Sequence, residues 1–225
     1  MLDDFAARLA AHDQVTDLLV AGSLATGDHI PGVSDLDLVA ITSAELAEDE
    51  VRALHAGIDP ALELGCVYVP VSAVDDRSRR HPTWTHDVLV QRILSGVTRA
   101  ELVRHGYAVF GRPPADLFPA MTDDDIRDAA RAELTGYWSW AARRPWIFLD
   151  PVMADLSLTS MARGRYALHH GALLTKSRAV EQAAAPPWLT TQLAARRRGE
   201  QIISPRLRTA WIAWRDARRT VRLAQ

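Results

Sequence analysis

In the first half of the chain short apolar runs alternate with glycine and proline breaks, whereas in the second half apolar residues recur only at helical spacing. Phe5, Leu9 and the alanines between Asp3 and His12 stand three and four apart behind an aspartate cap, which predicts a short amphipathic helix. Residues 16 to 21 form a compact apolar run halted by Gly22 and predict a buried strand. After the Pro31-Gly32 break, residues 35 to 42 predict a second. Ser43 with Leu46, Val51 and Leu54 predicts a helix, and residues 62 to 69 a third strand with Glu63 near its start. A polar loop is expected over 75 to 82, then a helix over 85 to 104, where Val88, Leu89, Ile93, Leu94 and Leu102 fit a helical period. A brief strand at 107 to 110 ends at Gly111 and the Pro113-Pro114 pair. From Thr122, which makes a capping box with Asp125, only helices are predicted: through Tyr137, over 154 to 169, from Ser177, and over 204 to 223. The fold class expected is therefore an α/β N-terminal domain over residues 1–115, a small mixed sheet with helices, followed by an all-α helical C-terminal domain over 116–225.

With 225 residues, 48% of them apolar, the chain is long enough for one large or two small cores. No secretory or transit leader and no membrane-spanning run is visible in the sequence, so a soluble cytoplasmic protein without a membrane partner is expected, as a monomer. Cys66 is the only cysteine, which leaves no internal disulfide and no cysteine-based zinc site.

The net charge of -2 conceals an asymmetry. Residues 1 to 50 hold eleven Asp or Glu against Arg8 alone, while from Trp188 to Gln225 nine arginines face only Glu200 and Asp216. The basic run reads as a solvated helical face. A nucleic-acid partner is not expected, because such a footprint needs interleaved aromatic platforms. Of 26 basic residues 25 are arginine, and the sole lysine is Lys176, which points to a position that requires a compact point charge rather than a planar fork.

Candidate chemistry concentrates in residues 19 to 41, LVAGSLATGDHIPGVSDLDLVAI. On a strand i and i+2 share a face, so Asp35 and Asp37 point the same way and repel unless a cation lies between them. Mg²⁺ suits the position, since it takes oxygen ligands and is commonly shared between carboxylates and substrate phosphates. Ahead of them, Gly22-Ser23 after a strand lets backbone approach a phosphate with the Ser23 hydroxyl as donor, while Gly27 and Gly32 let the loop turn back. The competing reading makes the aspartates solvent-facing residues of an edge strand and Gly-Ser a plain turn; the order strand, turn, strand weighs against it.

The GSLATG stretch followed by SDLDL resembles the Gly-Ser turn and Asp-x-Asp of the nucleotidyltransferases of the DNA polymerase beta superfamily. Further stretches, ALEL, AVFGRPPADLFP and LTSMARGRYALHHGALLTKSRAV, resemble the aminoglycoside adenylyltransferases that modify streptomycin and spectinomycin. The resemblance implies a Mg-dependent transferase of AMP from ATP to a hydroxyl of a cationic small molecule, releasing pyrophosphate. It implies that Gly22 and Ser23 grip the triphosphate, that Asp35 and Asp37 hold two Mg²⁺ ions, and that Glu63 is the third carboxylate, a metal ligand as well as the proton acceptor. The C-terminal pattern falls on Arg163, Gly171 and Lys176, with Lys176 reaching the nucleotide phosphates. For the acceptor the resemblance implies acidic residues and a stacking tryptophan. Glu63 itself, Asp150, Asp155 and Glu133 are the acidic candidates, although Met153 occupies the family's aspartate register, and Trp84 is the nearest tryptophan unless it anchors its own loop. The remaining tryptophans, 138, 140, 146, 188, 211 and 214, are expected as core or interdomain residues. Two alternatives stay open: AMP transfer to a protein, RNA or other metabolite, and an inactive nucleotide-binding module.

Overall fold

A computed structural model describes residues 2–225. The chain divides into two compact units, one closing at Met121 and the other running Thr122–Gln225.

The first unit is a six-stranded mixed sheet with helices. Its elements are α1 (Leu2–Ala10), β1 (Val15–Val20), the short α2 (Gly22–Ala25), β2 (Leu36–Thr42), α3 (Glu48–His55), β3 (Leu64–Pro70), β4 (Arg80–Thr85), β5 (Val88–Ile93), α4 (Gly96–His105), β6 (Tyr107–Phe110) and α5 (Pro114–Leu117). The strand order is β5-β4-β3-β2-β1-β6. Only β2 and β3 run parallel, because α3 carries the chain back between them; every other pair is antiparallel. One face of the sheet, with Leu18, Val20, Leu38, Ala40, Cys66 and Tyr68, packs on Phe5 and Leu9 of α1 and Val51 and Leu54 of α3. The other, with Leu19, Val39, Ile41 and Val69, packs on Leu102 of α4 and on Phe118, so the chain just past α5 stays with this unit. The expected helix over 85 to 104 is corrected: its first part is β5, paired with β4, and only Gly96–His105 is helical. The end of the expected polar loop, from Arg80, is likewise strand.

Two buried ion contacts fasten this unit. Asp17 of β1, 1% exposed, accepts from the Arg112 backbone N–H (2.6 Å) and from its Nε (3.0 Å) and Nη2 (2.7 Å), which ties β1 to the chain leaving β6. Arg99 of α4, also buried, donates to the carbonyls of Leu94, Val74 and Asp76.

The second unit is helical: α6 (Asp123–Glu133), α7 (Ser139–Ala142), α8 (Pro151–His170), α9 (Lys176–Glu181), α10 (Pro187–Arg197) and α11 (Arg206–Leu223), with one π turn at Leu134–Trp138. The capping box at Thr122 is present, its hydroxyl accepting from Asp125 N–H while the Asp125 carboxylate accepts from the Thr122 N–H. The core gathers Leu134, Trp138, Phe148, Leu158, Met161, Leu189, Leu193 and Ala213. Trp140, Trp146 and Trp211, expected as core or interdomain residues, lie outside the core and are exposed. Among the described residues no helix is long and apolar enough to cross a membrane.

Candidate active site

β1 and β2 bring the Gly-Ser turn and the aspartate pair together. The ladder between them continues one step past β1, where Ala21 N–H donates to the Asp37 carbonyl (2.9 Å), so the turn that follows is fixed directly against Asp37. The Thr26 hydroxyl donates back to the carbonyls of Gly22 and Ser23, both at 3.2 Å, and holds the turn shut. Downstream, Ile30 N–H donates to Ser34 Oγ (3.0 Å), which folds the 28–34 loop back towards β2.

Two details show what this packing is for. Gly22 has φ +60, and a Cβ there would lie 2.0 Å from Asp37 Oδ2 and 2.7 Å from its Cγ, so the bare Cα is what leaves room for the carboxylate. Ser23, 5% exposed, has a buried hydroxyl with no hydrogen-bond partner among the described residues. An orphaned buried donor one residue after the glycine that seats the Asp37 carboxylate fits a site built for a group the chain itself does not provide. Asp35, one residue before β2, and Asp37 on it share the strand face that carries Val39 and Ile41.

Glu63 stands differently from the expectation. It is not on the third strand but one residue before it, exposed, in the left-handed conformation (φ 44, ψ 41), with its carbonyl accepting from Leu36 N–H at 3.4 Å. Among the described residues no three His, Cys, Asp or Glu side chains form a metal-binding group. Two strand-borne carboxylates on one face have the oxygen chemistry that fits Mg²⁺ completed by phosphate oxygens. Trp84 lies on β4 opposite Cys66 and stacks on the buried His55 (ring centroids 4.6 Å, 12°), with Phe5 and Tyr68 also against that imidazole. Those partners belong to the sheet face opposite the aspartates, so Trp84 is a packing residue there.

In the second unit, Arg163 of α8 donates from Nε to the Leu174 carbonyl (2.9 Å), beside the turn at which Lys176 opens α9 behind its Thr175 cap. Arg197, at the end of α10, donates from Nε to Ser177 Oγ (3.3 Å) and so stands at the same turn. The sequence reading missed it, because one arginine within an Arg-Arg-Arg run carries no mark of its own. Gly171 ends α8 at φ +63, where a Cβ would lie 2.6 Å from Asp123 Cβ and 2.8 Å from its carbonyl oxygen; its role is to let α6 pass. Two of the acidic candidates for the acceptor are engaged elsewhere. Asp150 caps α8 by accepting from Val152 N–H (2.9 Å), and Asp155 forms a two-pronged ion pair with Arg196 (2.5 and 2.9 Å) that ties α8 to α10. Glu133, at the end of α6, is exposed.

Against known families, a family model described as nucleotidyltransferase domain matches residues 2–85, the span holding α1 through β4 and both aspartates. The match lies wholly within the first unit. Among solved structures, the chain is similar to the crystal structure of spectinomycin adenyltransferase AAD(9) from Enterococcus faecialis with ATP and spectinomycin, with a TM-score of 0.73 and 12% identity over 97% of this chain and 98% of that one. At that identity the likeness establishes a shared fold across both units. No curated protein matches the chain in sequence. The span that matches the nucleotidyltransferase model thus has a Gly-Ser turn, an Asp-x-Asp strand and the contact between them, while the helical unit holds Arg163, Lys176 and Arg197 around one turn.

Proposed function

We propose that the protein transfers AMP from Mg-ATP to a hydroxyl of an aminoglycoside-type small molecule and releases pyrophosphate. The observation that carries this reading is the seat of the Asp37 carboxylate on the bare Cα of Gly22, beside the orphaned Ser23 hydroxyl. Asp35 and Asp37 are the residues that would hold Mg²⁺, which when bound supplies neutralising charge and Lewis acidity to the triphosphate. The Ser23 hydroxyl donates to a phosphate oxygen. The acceptor oxygen attacks the α-phosphorus as Glu63 takes its proton, the bond from that phosphorus to the pyrophosphate breaks, and Lys176, Arg163 and Arg197 are the cations assigned to the phosphates. Glu63 suits the role of base through its exposure: a solvated carboxylate is free to move onto an acceptor hydroxyl.

The acceptor class rests on the likeness to an enzyme whose structure was determined with spectinomycin, and on the resemblance of the helical half to streptomycin- and spectinomycin-modifying enzymes. Because Asp150 and Asp155 are committed to a cap and an ion pair, recognition of a cationic acceptor on this reading falls to other acidic groups, Glu63 among them. Incubation of the purified protein with Mg-ATP and a panel containing spectinomycin and streptomycin, read by mass spectrometry, is expected to give one drug carrying one added AMP, together with pyrophosphate. ADP and a phosphorylated drug would contradict it.

A further inference from the structure

The outer face of α11 combines features that a plain solvated helix lacks. Leu207, Trp211, Arg215, Arg218 and Arg222 recur four, four, three and four apart, so they form one stripe. At the helical rise this stripe is about 22 Å long. The only acid on the helix, Asp216, is buried and paired with Arg165. Among the described residues, none of Arg206, Arg208, Arg215, Arg218 and Arg222 forms a salt bridge with a carboxylate.

Three of those guanidinia lie on indole rings instead: Arg215 over Trp211 (5.9 Å to the ring centroid), Arg218 over Trp214 (4.9 Å) and Arg208 over Trp188 (4.8 Å). With Arg144 over Trp140 (4.3 Å), the Thr122–Gln225 unit holds four such stacks. Beside the stripe, Pro145, Trp146, Leu207, Trp211 and Trp214 line an open cleft of about 310 Å³, with Trp146 63% and Trp211 55% exposed.

We infer that this face docks single-stranded nucleic acid, with a base in the tryptophan-lined cleft and the flanking phosphates on Arg215, Arg218 and Arg222. Flat aromatic walls take a base by stacking whatever its sequence, and a carboxylate-free arginine row takes a polyanion. The charge decides against a second copy of the chain meeting this face symmetrically, since two arginine rows would then oppose each other. A lipid surface would take a continuous apolar helix face, and only Leu207 and Trp211 of the five stripe residues are apolar. This inference does not rest on the AMP-transfer reading.

The test is fluorescence anisotropy of a short labelled oligouridylate titrated with the full chain, alongside quenching of the intrinsic tryptophan emission. Binding is expected in the roughly 10⁻⁴–10⁻⁶ M range, weakening from roughly 50 to 200 mM salt with a log–log slope of about -2 for three phosphates. Trp211→Ala should weaken binding about tenfold, the loss of one stacked base. The triple variant Arg215→Gln, Arg218→Gln, Arg222→Gln should flatten the salt slope. All of these side chains are exposed, and unchanged circular dichroism and melting keep the comparison to binding alone. Absence of any anisotropy change at low salt overturns the inference, as does binding that these variants leave unaltered. Capture by anionic vesicles, or self-association lost in Trp211→Ala, overturns it too if the oligonucleotide does not bind.

Discussion

Replacing Gly22 with alanine separates two things that the glycine does. The first is conformational: at φ +60 an L residue costs about 1–2 kcal/mol. The second is steric. A Cβ placed 2.0 Å from Asp37 Oδ2 is about 1 Å closer than such atoms approach, so the carboxylate must swing away by at least that much. A displacement of about 1 Å at a reacting centre costs on the order of 10²-fold in rate. Gly57 provides the control, since it has φ +74 and nothing within 4 Å of the position an alanine methyl would take, so Gly57→Ala carries the conformational cost alone. Both variants should melt about 2–8 °C lower, from roughly 2–4 °C per kcal/mol in a chain of this size. Only Gly22→Ala should lose Mg-dependent binding of a non-hydrolysable ATP analogue in calorimetry and fall about a hundredfold in AMP transfer. If Gly22→Ala and Gly57→Ala behave alike in nucleotide binding, the contact between Gly22 and Asp37 is not what the site depends on.

Three other outcomes follow from the same structure. Arg112→Ala removes the guanidinium from Asp17 and leaves the backbone N–H and Thr16; burial pushes the Asp17 pKa up, but hydrogen bonds from Arg112 and Thr16 outweigh that and hold it below the usual range, and denaturant unfolding at neutral pH should show a loss of about 2 kcal/mol. That stabilisation is present above the unfolded carboxylate's pKa and disappears as pH falls through the lowered folded value, so the variant and the parent should converge in acid. His55 is held neutral by burial and by the Arg8 charge, at a pKa of about 3 against an ordinary 6.5. Stability should therefore drop as pH falls below 6.5, by up to about 5 kcal/mol near pH 3, and His55→Gln should flatten that limb of the unfolding profile. Lys176→Gln should raise the KM for ATP about ten- to a hundredfold with the acceptor KM little changed, the loss of one charge-assisted contact to phosphate; equal KM values for ATP would remove Lys176 from the nucleotide site.

The parts of the site that were legible from sequence are those governed by a local rule. Two aspartates one residue apart on a strand must share a face, and a Gly-Ser after an apolar run must turn, so Gly22, Ser23, Asp35 and Asp37 could be grouped before any fold was known. The β4–β5 hairpin was hidden because its two-residue turn is His86-Asp87, both at positive φ (48 and 59), where the usual signal is Asn-Gly or Asp-Gly. β5 is moreover an edge strand with Val88 and Ile93 exposed, so its apolar residues follow no inside-outside alternation and matched a helical period instead. Glu63 was legible as a residue near a strand but not as a left-handed one, since no local rule puts a glutamate at φ 44. Asp155 was named for its charge, and its pairing with Arg196, 41 residues later, is a tertiary fact that leaves no trace in the neighbourhood of either residue. That Trp140, Trp146 and Trp211 lie outside the core was hidden for a related reason: helical spacing shows which residues share a face and not which face is outside.

The central claim is that Asp37, seated on Gly22, serves nucleotide chemistry. Its most direct test is mass spectrometry of AMP transfer by the native protein and by Asp37→Ala, with Mg-ATP and the drug panel, both proteins first matched by circular dichroism. The account predicts an AMP adduct that requires the metal in the native protein and is absent from Asp37→Ala although the fold persists. Substantial AMP transfer by the folded variant would contradict it.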